Sequence, residues 1–422
     1  MNRIKIYLAI FMVFIIFFVF WAIEFRIESS PTWSEDELRM LNTLVLDKNA
    51  DENGINIELA KLGKELFFDA TLSENNDVSC ATCHRPTRFF SDGKVLSSAG
   101  EHTAKIHTPT LIGVSSSQWF FWDGRKDSLW SQALEPLETH TEHGTNRLAV
   151  VTHVTSRYKA QYYTLFGTFP EFSMELQKTA NATPMGENTK WQKNWYLIAE
   201  KDRKKINRIF ANTGLAIAEY QKLIQPGLSR FDKYVHNLSD REHNIKQKEQ
   251  LTAEEIYGLK LFLDSEKTTC INCHNGPLFS NFDFQATGIR TVFDNNHKKR
   301  IGRIAGINTA LKDEFNCFSG YVDKNCDELR YAKKEGSELI GAFKVPTLRN
   351  VADTAPYMHS GDLSSLDEVL TYYNKAKTMG NEHIDIQPLR LRPHELKQLK
   401  AFLTTLSAPL AMQDHWLTPT KL

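Results

Sequence analysis

Apolar residues run without a break from Ile6 to Ile23, with Arg3 and Lys5 before them and Glu24 and Arg26 after. A stretch of about 18 or more such residues is long enough for a helix to cross a bilayer, so the pattern predicts a transmembrane segment over residues 6–23 with its basic end inside. A cleaved signal peptide would have a shorter apolar core and small residues at a cut site. Phe20-Trp21-Ala22-Ile23-Glu24-Phe25 offers bulk instead, so residues 1–25 read as an uncleaved anchor in preference to a signal segment. Beyond it the period is helical. Ser34-Glu35-Asp36-Glu37 opens an amphipathic run through Leu38, Leu41, Leu44 and Val45, with Ser34 as N-cap and Glu37 placed to complete a capping box. Ile57 to Phe68 and Leu251 to Leu263, the latter opened by Thr252, carry the same signal. Asn207 to Ile224 reads as a core helix stopped by Pro226 and Gly227. The insert from about Phe166 to Lys205 is polar and loop-like before turning helical around Trp191 to Tyr196, and its composition assigns it no chemistry.

Two of these helices lead into the same short motif. Gly63-Lys64-Glu65-Leu66-Phe67-Phe68-Asp69 precedes Cys80-Ala81-Thr82-Cys83-His84, and Gly258-Leu259-Lys260-Leu261-Phe262-Leu263-Asp264 precedes Cys270-Ile271-Asn272-Cys273-His274. Two cysteines three apart followed at once by a histidine form the attachment signature of a c-type haem: the thiols bond the porphyrin and His84 or His274 takes the iron. A zinc ribbon would need further Cys or His pairs at close spacing, and a thioredoxin-like CxxC needs no adjacent histidine. The chain therefore calls for two covalently bound haem c groups.

The repeat continues past the motifs. Thr108-Pro109-Thr110-Leu111-Ile112-Gly113-Val114 matches Val345-Pro346-Thr347-Leu348-Arg349-Asn350-Val351, and thirteen residues after the proline stands Trp122 in one half and His359 in the other. In that register Gly124 pairs with Gly361, Leu129 with Leu366, and Pro136 with Tyr373. Tyrosine is a haem ligand, whereas proline has no side chain able to hold a metal. One iron would be open and the other closed, with Tyr372 as the rival ligand to Tyr373. The predicted architecture is mainly α: two cytochrome c-like haem domains, residues 34–240 and 241–412, related by an internal repeat and following an N-terminal transmembrane helix.

Composition narrows the partners and the compartment. Lys plus Arg equals Asp plus Glu at 51 each over 422 residues, so no global basic field recommends a nucleic acid. Four of the six cysteines belong to the haem motifs. The remaining two, Cys317 and Cys326, read as one disulfide in preference to two free thiols on a chain lying outside the cytoplasm. Together with the haem attachment, this places the domains in the periplasm of a Gram-negative bacterium, held to the inner membrane by residues 6–23.

The segments LGKELFFD, SCATCH, FFWDGR, GAFKVPTLRN and APYMHSG, in that order, resemble the bacterial di-haem cytochrome c peroxidase family from about Lys61 to Tyr373, with one variable insert. The resemblance implies that Trp122 lies between the haems. It also implies a distal pocket over the N-terminal haem built from Gln132, Pro136 and Glu142, at plus ten, plus fourteen and plus twenty from that tryptophan. Tyr373 stands where ordinary members carry a methionine ligand. A tyrosine there is similar to the branch of MauG, which matures a tryptophan-derived cofactor, while Met358 and Met379 sit out of register. Two departures stand out. The displaceable histidine of reductively activated members aligns near Ala99, with His102 the nearest substitute. The family's Ca2+ site keeps Thr354 and Pro356 here but has His107 for its asparagine, and a neutral imidazole is a poor ligand for a hard cation.

What the resemblance implies is a hydrogen peroxide-dependent oxidoreductase. His84 holds the first iron, Pro136 leaves its far side free, Glu142 serves as acid-base and Gln132 orients peroxide. Trp122 would carry the hole or electron to the haem held by His274 and Tyr373, so that the two haems exchange electrons through it. The electron source would be a small periplasmic donor, a cytochrome c or a copper protein; a homodimer is left open. Two other readings compete: a MauG-like enzyme oxidising a protein or organic substrate, and a non-catalytic di-haem electron-transfer cytochrome.

Overall fold

The computed structural model describes residues 32–48, 54–99, 102–103, 106–173, 176, 179, 181–239, 250–289, 302–322, 325–376 and 383–420. The predicted anchor over residues 6–23 lies outside them. Among the described residues no helix is long and apolar enough to cross a membrane.

The described chain is mainly helical, with two short antiparallel pairs: Ser98–Ala99 with His102–Thr103, and Phe284–Gln285 with Phe343–Lys344. Local capping sets the helix starts that the sequence implied. The Ser34 hydroxyl accepts the Glu37 N–H at 3.2 Å while the Glu37 carboxylate accepts the Ser34 N–H at 2.8 Å, and Thr252 and Glu255 repeat the arrangement at the start of Ala253–Leu263. The helix expected from Asn207 begins earlier, running Glu200–Gln221, because residues 200–205 are all charged and carry no apolar period, although Asp202 is buried.

Each half is built on one crossing of two helices. Ile57–Phe68 packs on Glu200–Gln221, and Ala253–Leu263 packs on Pro393–Thr404. A glycine makes each approach possible: a Cβ on Gly63 would fall 1.8 Å from the Ala216 carbonyl oxygen, and one on Gly258 would fall 1.9 Å from that of Gln398. Both are the glycines that open the matched segments ahead of the haem motifs. The repeat holds further on, where Leu129–Glu138 and Leu366–Asn374 begin at equivalent positions. Thr110 and Thr347 each hand a hydroxyl to a backbone carbonyl at 2.6 Å, of Phe89 and Leu278.

Packing does not follow a simple division into residues 34–240 and 241–412. Leu41 and Leu44, with Phe231, Tyr234 and Val235 from Arg230–Ser239, belong to the core of the second half; Phe315, Met412 and Trp416 belong to the core of the first. Arg349 is the reason for the first exchange. Its buried guanidinium bonds both carboxylate oxygens of Asp232 at 2.6 and 2.9 Å and the Leu44 carbonyl at 2.9 Å. Such a fork satisfies the arginine only if distant segments gather round it. Cys317 and Cys326 are bonded to one another, with Cα atoms 5.6 Å apart, in the segment that carries Phe315 across.

The halves meet through a bond made twice. His107 and Lys344 are equivalent in the repeat, as are Trp122 and His359. The His107 N–H donates to the His359 carbonyl at 3.0 Å, and the Lys344 N–H donates to the Trp122 carbonyl at 2.8 Å.

Candidate active site between the two haem-attachment motifs

Cys80–Cys83 and Cys270–Cys273 each form a single helical turn whose C-cap is the motif histidine. That turn presents both thiols on one side and fixes the imidazole beside them. The His84 Nδ1–H donates to the Phe90 carbonyl at 3.0 Å and the His274 Nδ1–H to the Phe279 carbonyl at 2.9 Å. Because a carbonyl only accepts, both rings are set in one tautomer with Nε2 left as the nitrogen that can bind iron. Burial holds both imidazoles below their ordinary pKa, in the neutral form that ligates.

Both motifs line one cavity of about 1300 Å³, larger than the roughly 300–1,000 Å³ of a pocket for one small ligand. Burial pushes the Cys80 thiol up to about 12 and the Cys83 and Cys270 thiols up to about 11, the reverse of a reactive CxxC. Among the described residues no group of three or more His, Cys, Asp or Glu could close a zinc site. Cavity, paired thiols and pre-set imidazoles fit two haem c groups.

On the first half, Leu129–Glu138 carries Gln132 and Pro136 to the cavity wall, and the turn after it carries Glu142. The turn is fixed by the Glu142 N–H on the Thr139 carbonyl at 3.0 Å and the His143 N–H on the Pro136 carbonyl at 3.1 Å. Gln132 Oε1 is buried with no partner among the described residues, which leaves it an acceptor for a ligand. Burial raises Glu142 to about 7 against the pull of the Arg125 guanidinium, with the Glu135 carboxylate adding to the rise. Arg125 itself is taken by Glu135 at 2.6 Å and Asp123 at 3.0 Å.

The second half offers different groups at the same places. Val369 stands where the first has Gln132, and Tyr373 where it has Pro136; both line the cavity. Met379, in the place of Glu142, lies outside the described residues. Burial, with the Cys270 and Cys273 thiols close by, raises the Tyr373 phenol. Its rival Tyr372 is occupied, its hydroxyl donating to the Thr287 carbonyl at 2.7 Å. Trp122 stands at the clasp between the halves: its indole N–H donates to the His107 carbonyl at 2.9 Å, and its ring lies edge-on to His359 at 6.5 Å.

The calcium reading fares less well. Thr354 and Pro356 line the cavity, but the His107 Nδ1–H donates to the Lys94 carbonyl at 2.8 Å and the His107 carbonyl is used by Trp122. His107 itself would then offer one imidazole nitrogen, a poor ligand for a hard cation, beside the Thr354 and Pro356 oxygens. Ala99 and His102 are paired across the hairpin.

Sequence reasoning missed several cavity residues. The insert to which it gave no chemistry contributes Met185 and Tyr196, both largely exposed at the rim. Buried His143, 4.0 Å from Cys80 Sγ, and Lys344 were missed as well, and His359 was read only as the register partner of Trp122. Single polar residues inside apolar stretches carry no spacing signal. The repeat register, which equates Lys344 with His107 and His359 with Trp122, is the signal that could have drawn attention to that pair.

A mainly helical chain with two haem c sites opening on one cavity is a di-haem c-type oxidoreductase in class. The profile of the di-haem cytochrome c peroxidase family matches residues 57–240. Over that stretch the chain is similar to the family, and its cytochrome-c peroxidase relatives support a peroxidase-like oxidoreductase. It is 29% identical over 368 residues to the cytochrome-c peroxidase IdrP2 of Denitromonas iodatirespirans, covering 83% of this chain and 82% of the relative. To the methylamine utilization protein MauG of Methylophilus methylotrophus it is 24% identical over 359 residues, covering 84% of each. The crystal structure of the diheme peroxidase BthA from Burkholderia thailandensis shares the fold with a TM-score of 0.61 at 22% identity, over 86% of this chain and 89% of that one.

Proposed function

We propose that hydrogen peroxide reacts in the pocket formed by Gln132, Pro136 and Glu142, and that electrons reach that pocket through Trp122 from the second haem site. The observation that carries this reading is the asymmetry of an otherwise faithful repeat: glutamine and proline on one side, Val369 and Tyr373 on the other. Haem bound at His84 would supply an open iron for peroxide, and haem held by His274 and Tyr373 a closed one for electron exchange. Glu142 is poised near neutrality, so its carboxylate can take a proton from one peroxide oxygen and return it to the other; with the two electrons delivered to the site and two protons from solvent, the O–O bond breaks and both oxygens leave as water. The unpartnered Gln132 oxygen accepts the remaining peroxide O–H. Pro136 contributes by what it lacks, a side chain able to close the iron. Trp122 is held in orientation by its indole N–H, which suits a fixed conduit.

The domains are assigned to the periplasm, where haem c and the Cys317–Cys326 disulfide are both at home. A small cytochrome c or copper protein would be the donor. A second reading, MauG-like oxidation of a protein or organic substrate, draws on Tyr373 and on the exposed Met185 and Tyr196 at the cavity rim.

Stopped-flow absorbance on the ferric protein with stoichiometric peroxide tests the proposal. Glu142→Gln should keep both haems and slow the reaction by about 10²-fold or more. Trp122→Phe should react at the first haem but uncouple it from the second. A Glu142→Gln protein that reacts as fast as its parent removes the pocket assignment and favours the electron-transfer cytochrome.

A further inference from the structure

We propose that Lys344 and His359 form a carboxylate clamp that holds a haem propionate in the wall between the two haem sites. The proposal rests on the two-haem assignment and not on the peroxide pocket.

Lys344 follows Phe343 in the short strand paired with Phe284–Gln285, and its side chain lines the shared cavity. Its ammonium donates to the Ser117 hydroxyl at 3.1 Å and lies 5.6 Å from the centre of the Phe282 ring. An ammonium has three protons to donate, and this one makes no ion pair among the described residues. Burial alone draws its pKa down to about 8, with no carboxylate opposing the fall. It therefore remains mostly charged at neutral pH in a place where an unpaired charge is costly. Such a group calls for an anion.

His359 points to the same conclusion independently. It is only 3% exposed, and its Nε2 has no hydrogen-bond partner among the described residues although it lines the same cavity. Its ring is held by stacking on Phe343, with ring centroids 3.5 Å apart, and Phe343 immediately precedes Lys344 in the chain. A charged donor and an imidazole N–H together suit a carboxylate, which accepts through two oxygens. Propionates are the carboxylates a haem carries into this cavity. Free carboxylate from solution has the same chemistry and is separated by the test below. Since the Lys344 N–H also bonds the Trp122 carbonyl, the clamp would tie the haem edge to the segment bearing the conduit tryptophan.

A cation beside a propionate disfavours the ferric state, so losing it should lower that haem's reduction potential. The experiment is a spectroelectrochemical titration of the holoprotein and of Lys344→Met, Lys344→Arg and His359→Phe, each checked for two attached haems, with and without added acetate. We expect Lys344→Met and His359→Phe to lower the midpoint of the same haem, Lys344→Arg to stay close to the parent, and acetate to leave the parent unchanged. If Lys344→Met does not fold, His359→Phe carries the same reading, because phenylalanine keeps the stack on Phe343. Unchanged potentials in folded Lys344→Met and His359→Phe would overturn the clamp. So would a parent whose potential moves with acetate, since the occupant would then come from solution. The readout is a potential, so failed peroxide chemistry would leave this result standing.

Discussion

Glu135 and Glu142 show how neighbouring carboxylates are given different tasks. Burial pushes both up, but Arg125 and Lys126 overcome it at Glu135 and hold that carboxyl below its ordinary range, whereas Glu142, with only the more distant pull of Arg125, rises to about 7. As a base Glu142 must be ionised, so the peroxide reaction should accelerate as pH rises through about 7 and level off above it. Glu142→Gln should lose that limb, and stopped-flow rates from about pH 5 to 9 check it. A parent profile flat across that range would dissociate Glu142 from the chemistry. At this scale the sequence was legible where function imposes spacing. Covalent attachment requires the Cys-x-x-Cys-His order, which is why Cys80, Cys83 and His84 could be read directly. Arg125, Lys344 and His359 sit inside the segments FFWDGR, GAFKVPTLRN and APYMHSG, but those segments do not say which group each side chain would face.

Helix crossings supply the next scale. In an exposed helix interior, Gly→Ala stabilises by about 1 kcal/mol. At Gly63 and Gly258 the sign should reverse, because the new methyl would meet a backbone carbonyl oxygen at 1.8 or 1.9 Å and only movement of a whole helix could relieve it. We expect Gly258→Ala to destabilise by about 1–3 kcal/mol or more, seen as a lower midpoint in thermal or denaturant unfolding. A stabilised variant would show that the crossing is looser than described. The helices Ile57–Phe68 and Ala253–Leu263 were legible from apolar period and caps. The start of Glu200–Gln221 was not, since residues 200–205 are all charged and give no apolar period, even though Asp202 is buried. Nor was the closeness of the crossings, because a glycine in a helical stretch does not announce what packs against it.

Over the whole molecule, segments far apart in sequence are drawn into each other's cores, and the buried Asp232–Arg349 pair is the clearest case. Against burial, which pushes its pKa up, Arg349 holds the Asp232 carboxyl below its usual range. Its stabilising contribution is therefore complete above the ordinary carboxylate pKa and is lost as pH falls toward the depressed folded-state value. Asp232→Ala leaves the guanidinium buried and unpaired, and should cost about 3–5 kcal/mol by denaturant titration. A loss below about 1 kcal/mol would mean that the arginine finds another partner. The sequence showed two repeats but not this exchange of ends, since apolar period says that a face is buried and not which core buries it. The repeat also frames the central claim, that one iron site is open and the other closed because Pro136 and Tyr373 occupy equivalent places on equivalent helices. Electron paramagnetic resonance of the resting ferric holoprotein tests this most directly. One high-spin and one low-spin centre are expected, with Tyr373→Phe altering only the low-spin signal; two low-spin centres with no high-spin signal would mean that both irons are closed.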